Sequence, residues 1–65
     1  MGAVIYQESD GKRTWWVLKI GSSMQGSYRS VAAALKDAKI WVPPLRGRTS
    51  VTVIEGGKAR LVEFP

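Results

Sequence analysis

The chain has 65 residues with ten Lys or Arg, five Asp or Glu, and neither Cys nor His. A chain of about 60 residues buries only about 60% of its unfolded surface, so we expect a single small domain over residues 1–65. Without Cys or His, the chain forms no disulfide, no thiolate nucleophile, no imidazole base and no zinc finger. Its carboxylates form no DxD or ExxE pairing, so we expect no catalysis, no metal and no cofactor.

Nothing in the sequence has the pattern of a targeting or membrane segment. Residues 1–5 lack the basic region and the apolar stretch of a signal peptide. The longest apolar run, Val31 to Leu35, has five residues, whereas about 20 are needed to cross a bilayer. The lack of Cys is compatible with a reducing compartment. We therefore expect a soluble, cytoplasmic protein with no membrane partner.

The first half of the chain predicts strands. Ala3 to Gln7 is rich in β-forming residues, and Thr14 to Ile20 is the strongest strand pattern in the sequence. Between them, Ser9-Asp10-Gly11-Lys12 predicts a turn whose Asp-Gly pair can take the positive φ angles of a tight hairpin, so residues 3–20 predict a hairpin. The Gly- and Ser-rich segment 21–27 predicts a loop that contains a short third strand ending at Tyr28.

A helix is predicted from Val31 to about Trp41. Ser30 is a suitable N-cap because its hydroxyl can accept a hydrogen bond from a free amide of the first turn. Pro43-Pro44 ends the helix, since neither proline can donate an amide hydrogen. Helical spacing gives one narrow apolar face, with Lys36 and Lys39 off it. That face consists of Val31, Ala34, Leu35, Ala38 and Val42.

The C-terminal third predicts a second hairpin. Residues 50–55 and 58–64 flank Gly56-Gly57, a two-residue turn compatible with a primed turn type. A turn of that length pairs Glu55 with Lys58, Val53 with Arg60 and Val51 with Val62. The predicted fold is α+β, a small antiparallel sheet with one packed helix in the order β-β-(β)-α-β-β.

Positive charge is concentrated in the middle of the sequence. Residues 12–48 contain eight Lys or Arg and one Asp, whereas the segments on either side have no excess of cations. Such a basic segment favours a polyanionic partner, nucleic acid before membrane, although a net charge of +5 also serves solubility.

The second strand is the first candidate for contact with nucleic acid. Alternation places Arg13, Trp15, Val17 and Lys19 on one face, opposite a core face with Trp16 and Leu18. Cations neutralise phosphates or contact guanine edges, and an indole can stack on a base. The alternative is that Trp15 is a structural residue, covered by the C-terminal strands or packed on an edge.

The second candidate is the loop that contains Arg46 and Arg48. Gly47 removes the side chain between the two guanidiniums, so the backbone can approach a narrow groove. The triplet is similar to the core of an AT-hook, although Leu45 and Thr49 stand where an AT-hook has prolines. A solvated turn between helix and strand is the alternative.

Residues 5–38 resemble known DNA-binding modules that consist of a three-stranded sheet and a helix. The shared features are Asp10-Gly11-Lys12, the run 16–21, Tyr28-Arg29-Ser30, and Ala34 with Ala38. On these residues the segment resembles the arm-site-binding modules at the start of tyrosine integrases and plant AP2 domains. It departs from them in having Ala33 where Glu is usual and in carrying a second hairpin. Those families present the outer face of the sheet to the major groove, and the resemblance implies that Arg13, Trp15, Val17 and Lys19 contact DNA.

The segment 38–48, AKIWVPPLRGR, is similar to the junction of recognition helix and wing in lambdoid phage excisionases. This resemblance implies a major-groove helix that carries Arg29, Lys36 and Lys39, and a minor-groove wing that carries Arg46 and Arg48. An excisionase also has an earlier helix, whereas residues 14–20 have the composition of a strand.

A third resemblance rests on the predicted order strand, strand, helix and on four matching stretches of sequence. The matching stretches are Ala34-Leu35, Ala38, residues 41–43 and residues 51–53. In these respects the chain resembles the short phage protein that inhibits host RNA polymerase by binding its jaw. The sequence thus predicts a DNA-binding protein of a phage or other mobile element, a recombination accessory or a transcription regulator that binds duplex DNA. The alternative is a host-takeover protein that binds an acidic surface on a host protein. A homodimer is compatible with either.

Overall fold

The computed structural model describes residues 2–44 and 46–64 and has five strands and one helix. In chain order the elements are β1 (Ala3–Ser9), β2 (Thr14–Ile20), β3 (Ser23–Tyr28), α1 (Val31–Trp41), β4 (Thr49–Glu55) and β5 (Lys58–Phe64). The strands form one sheet in the order β3-β2-β1-β4-β5, and α1 packs against it. The α+β class, the element order and the third strand are confirmed. Within the described residues, no helix has the length and apolar character needed to cross a membrane.

The first hairpin forms as predicted, and its four-residue connection, residues 10–13, begins one residue later than the predicted turn. β1 and β2 pair antiparallel, and Ser9 lies opposite Thr14 at the end of the ladder. The Asp10 carboxylate accepts hydrogen bonds from the backbone N–H groups of Lys12 (2.8 Å) and Arg13 (2.7 Å). These bonds, first that from Arg13 and then that from Lys12, hold the pKa of Asp10 below its usual value. Gly11 alone in this loop has a positive φ, +91°.

The second hairpin has the predicted register and turn. Glu55 pairs with Lys58, Val53 with Arg60 and Val51 with Val62. Gly56 and Gly57 have φ angles of +60° and +78°, so both central residues of the turn are left-handed, as a type I′ turn requires.

The helix begins and ends where the sequence predicted. The Ser30 hydroxyl oxygen accepts a hydrogen bond from the Ala33 N–H at 3.2 Å and caps the first turn. The last turn closes where the Val42 N–H donates to the Ala38 carbonyl oxygen at 2.8 Å, directly before the prolines. Ala34 and Ala38 are fully buried, and their small side chains let the helix lie close to the sheet.

The sheet is mixed, whereas the sequence predicted antiparallel pairing throughout. β1 and β4 pair parallel, with Val4 opposite Thr52 and Ile5 opposite Val53. The physical reason is the helical crossover. β3 ends at one end of the sheet and α1 carries the chain back to the other, so β4 starts at the end where β1 starts and runs in the same direction.

The hydrophobic core lies between α1 and one face of the sheet. The alternation of strand residues directs one set of side chains toward the helix, and Trp16 and Leu35 pack against the margin of this cluster. The buried members are Ala3, Ile5, Leu18, Ala34, Ala38, Val42, Val51 and Val53. Val17 is also buried, at 1% exposure, but it does not belong to the cluster because it lies on the opposite face of the sheet.

Candidate nucleic-acid interface

The face of the sheet opposite α1 is called the uncovered face. In the β1/β2 ladder, Leu18 pairs with Ile5 under the helix, so the next pair, Val17 with Tyr6, points to the other side. All five strands belong to one sheet and α1 packs on its other side, so among the described residues no second layer of secondary structure covers this face.

The four predicted residues around β2 differ in how much surface they offer. Trp15 and Lys19 are half-buried and Arg13 is exposed. Val17 is almost completely buried, so it supports the neighbouring side chains and offers no contact surface of its own. The predicted alternative, that the C-terminal strands cover Trp15, does not occur, because β4 and β5 extend the same sheet beyond β1.

A groove lies at the end of the sheet where β2 begins and β3 ends. It has a volume of about 550 Å³ and is lined by Arg13, Thr14, Trp15, Ser27, Tyr28 and Arg29. Because Trp16 pairs with Tyr28, the same register places Arg29 next to Trp15. The likeness to excisionases placed Arg29 on a recognition helix. In the structure Arg29 precedes the helix cap, Ser30, and lines the groove together with Arg13 and Trp15.

Tyr28 fixes the β3 wall of this groove to the helix. Its hydroxyl donates a hydrogen bond to the Asp37 carboxylate of α1. Burial, together with the hydrogen bond and the negative charge of Asp37, raises the pKa of Tyr28 to about 12. Gly26 leaves room for the phenol, since a Cβ there would lie 3.1 Å from the Tyr28 hydroxyl oxygen. Sequence reasoning missed this contact because no local pattern relates a strand residue to a helix residue nine positions later.

A second basic depression lies at the opposite end of the strands. Arg46, Arg48, Ser50 and Glu63 line it, and its volume is about 510 Å³. Ser50 and Glu63 pair across β4 and β5 on the uncovered face, so the depression opens on the same side as Trp15. Arg46 has a φ of +55°, a left-handed conformation that costs a non-glycine residue roughly 1–2 kcal/mol. Leu45, the neighbour named in the sequence prediction, lies outside the described residues.

The two predicted helix cations lie on the other side of the molecule. Lys36 and Lys39 are exposed on α1, and the Lys39 ammonium lies 5.4 Å from the centre of the Phe64 ring. The structure therefore groups seven of the nine predicted residues on the uncovered face or at its two ends, and it separates Lys36 and Lys39 from them.

The uncovered face carries arginines at both ends of its strands, and each group has one carboxylate nearby. Glu8 lies opposite Trp15 at the groove, Glu63 lines the depression with Arg46 and Arg48, and Lys19 lies between the two ends. Three large apolar side chains are exposed between them: Met24 (65%), Leu61 (62%) and Ile54 (39%). The positive segment seen in the sequence is thus spread over both sides of the sheet.

Comparisons of the chain with protein families, with curated proteins and with solved structures find no match. Among residues 2–44 and 46–64, no three His, Cys, Asp or Glu side chains are grouped so that they could hold a metal ion.

Proposed function

We propose that the protein is a small DNA-binding protein that contacts duplex DNA with the uncovered face. The observation that carries the proposal is the groove in which Arg13 and Arg29 flank the half-exposed indole of Trp15. Guanidinium groups bind phosphates and guanine edges, and aromatic rings contact bases or thymine methyl groups. Lys19 continues this surface along β2. The sequence resemblances suggest a recombination accessory or a transcription regulator of a phage or other mobile element, acting in the cytoplasm.

The dimensions of the sheet limit how many strands can enter the major groove. Strands lie about 4.8 Å apart, so five strands span about 19 Å between the outer axes. The major groove is about 12 Å wide and admits two strands comfortably. Because Arg13, Trp15 and Arg29 lie beside β2 and β3, the β3 edge and its neighbour β2 are the strands that would enter the major groove, and β4 and β5 would lie over the sugar-phosphate backbone.

The distribution of charge fits the same docking. The arginines at the two ends contact phosphates, and Lys19 between them neutralises a further phosphate. The longest dimension of the molecule is 40 Å, a length that corresponds to about 12 base pairs. Arg46 and Arg48 would contact the backbone at one end of this footprint, and Arg13 and Arg29 at the other.

Docking by the helix is the weaker alternative. The excisionase-like arrangement requires a helix before α1, and that part of the chain forms β2 and β3. Lys36 and Lys39 also lie on the side away from Trp15, and the Lys39 ammonium rests on Phe64. A complex in which α1 enters the major groove would leave Arg13, Trp15 and Arg29 without a contact to DNA.

Binding of a labelled duplex of about 16 base pairs, longer than the footprint derived from the molecular dimension, tests the proposal. We expect affinity to fall steeply with salt, and Lys19→Gln to reduce the slope of log K against log salt by about 1. Lys36→Gln is the matched control, because it removes the same charge from the opposite side and should leave the slope unchanged. Equal effects of the two variants would contradict docking by the uncovered face, and no binding at low salt would contradict DNA binding.

Exposed apolar side chains on the C-terminal strands favour a second candidate, binding to a host protein. Leu61 of β5 and Ile54 of β4 are diagonal neighbours on the uncovered face and both are exposed, and exposed apolar patches mark protein interaction sites. A pull-down from host lysate with the wild type and with Leu61→Ser tests this candidate. Capture of a specific protein by the wild type alone, without DNA binding at low salt, would favour it over the DNA proposal.

A further inference from the structure

The groove has the chemistry of a site for a nucleotide whose base is not paired. The residues that line it supply two guanidiniums, three hydroxyl groups and an indole, and no carboxylate is among them, although Glu8 lies opposite Trp15 on the neighbouring strand. In the described part of the chain, neither Arg13 nor Arg29 forms a salt bridge, and the one ion pair found joins Arg60 to Glu55. The positive charge of the groove therefore remains available to a phosphate group.

The indole of Trp15 is also available for stacking. The cation–π contact found within residues 2–44 and 46–64 is that of Lys39 on Phe64, on the other side of the sheet, so neither arginine occupies the face of Trp15. A base inside a duplex is stacked on both faces by its neighbours and offers only its edge to a protein. A base that is unpaired or flipped out offers a free π-face, as in single-strand binding proteins.

From these observations we propose that the groove binds one unpaired nucleotide of the DNA, with its base on Trp15 and its phosphates on Arg13 and Arg29. The proposal rests on the DNA binding proposed above and adds its preferred substrate, a duplex with a bulge or an overhang. A volume of about 550 Å³ lies within the range of about 300–1,000 Å³ typical of small-molecule sites, and the open groove lets the strand pass through.

The groove is rigid enough to hold such a base. Tyr28 is tied to Asp37 of the helix, and the backbone of Arg29 follows directly before the Ser30 cap. Because the backbone of both walls is fixed by hydrogen bonds and by the β2/β3 ladder, the conformational freedom lost when the nucleotide binds is mainly that of the exposed Arg13 and Arg29 side chains.

The test compares three ligands: a blunt duplex, the same duplex with one unpaired nucleotide, and a free deoxynucleoside monophosphate. We expect the bulged duplex to bind about tenfold tighter than the blunt duplex, because stacking of one base on an aromatic ring increases affinity by about this factor. Tryptophan fluorescence should be quenched by the bulged duplex. In Trp15→Leu the preference for the bulged duplex and this quenching should both disappear, so that the two duplexes bind with equal affinity. Trp41→Leu, at an exposed tryptophan of α1, should behave as the wild type.

Each remaining outcome has a distinct meaning. Equal affinity of wild type for the two duplexes would overturn this inference and leave the proposed function standing. Absence of binding to all DNA at low salt would overturn the proposed function itself. Free nucleotide binding as tightly as the bulged duplex would overturn the assignment to DNA. If circular dichroism shows that Trp15→Leu is unfolded, Trp15→Phe replaces it, and its smaller ring should retain part of the preference.

Discussion

The contact between Tyr28 and Asp37 should contribute measurably to stability, and it allows a sharp test of how the groove is held. Tyr28→Phe removes one hydroxyl and leaves the ring over Gly26 in place. A hydrogen bond to a charged group contributes about 1.5–3 kcal/mol. Both residues are half-buried, so water partly replaces the lost partner, and we expect a loss of about 1–1.5 kcal/mol in the free energy of unfolding.

The contribution of Tyr28 should also depend on pH in a defined direction. Its pKa is raised in the folded protein from the ordinary value of 10 to about 12. The phenol is therefore protonated in both states below pH 10, and the contribution is complete there. As the pH rises from 10 through about 12, the unfolded state loses its proton first and the contribution is lost. The difference in stability between wild type and Tyr28→Phe should shrink over that window.

Urea denaturation at neutral pH and between pH 9 and 12 measures both effects. Tyr6→Phe is the matched control, since it removes the same hydroxyl from the uncovered face, where no hydrogen bond of the Tyr6 side chain is found among the described residues. A cycle of Tyr28→Phe and Asp37→Asn should give a coupling energy of about 1 kcal/mol. Equal effects of the two hydroxyl deletions, or a coupling energy of zero, would show that the contact between Tyr28 and Asp37 does not stabilise the groove wall.

Three further predictions concern packing and backbone conformation. Ala38→Leu, at a position with no exposed surface, should lower the free energy of unfolding by about 1–3 kcal/mol, whereas Ala32→Leu on the exposed side of α1 should not, as thermal or urea denaturation will show. Gly57→Ala should cost roughly 1–2 kcal/mol, because its φ of +78° disfavours a Cβ even though nothing lies within 4 Å, and Gly57→Asn should cost less in the same assay. Arg46→Gly should cause no loss of stability, because it relieves a left-handed arginine, yet in DNA titrations it should reduce the salt slope by about 1. Destabilisation by Arg46→Gly would contradict the last prediction.

Local patterns in the sequence were sufficient for the individual elements. The pair Gly56-Gly57 determined the register of the second hairpin, because a two-residue turn leaves only one pairing. Ser30 and the two prolines similarly set the ends of the helix. The parallel pairing of β1 with β4 was missed. No residue pattern predicts which edge strand of the first hairpin pairs with the second hairpin. The pairing depends on the position at which the 11-residue helix ends relative to the sheet.

The candidate interface was predictable only within single elements. Alternation along β2 correctly separated Trp15 from Trp16, but it gave no sign that Val17 would be buried beneath its neighbours. The joining of Arg29 to the groove depends on the β2/β3 register, which has a bulge between Leu18 and Lys19 that the sequence does not reveal. Charge summed along the chain also missed the separation of the helix lysines from the sheet. That separation exists only in three dimensions.

Amide chemical shifts recorded during titration with a short duplex at low salt would show whether the uncovered face binds DNA. We expect shifts to concentrate at residues 13–19, 27–29 and 46–48, while residues 32, 36 and 40 on the exposed side of α1 stay unchanged. Shifts confined to 36–40, or no shifts at all, would contradict binding by that face.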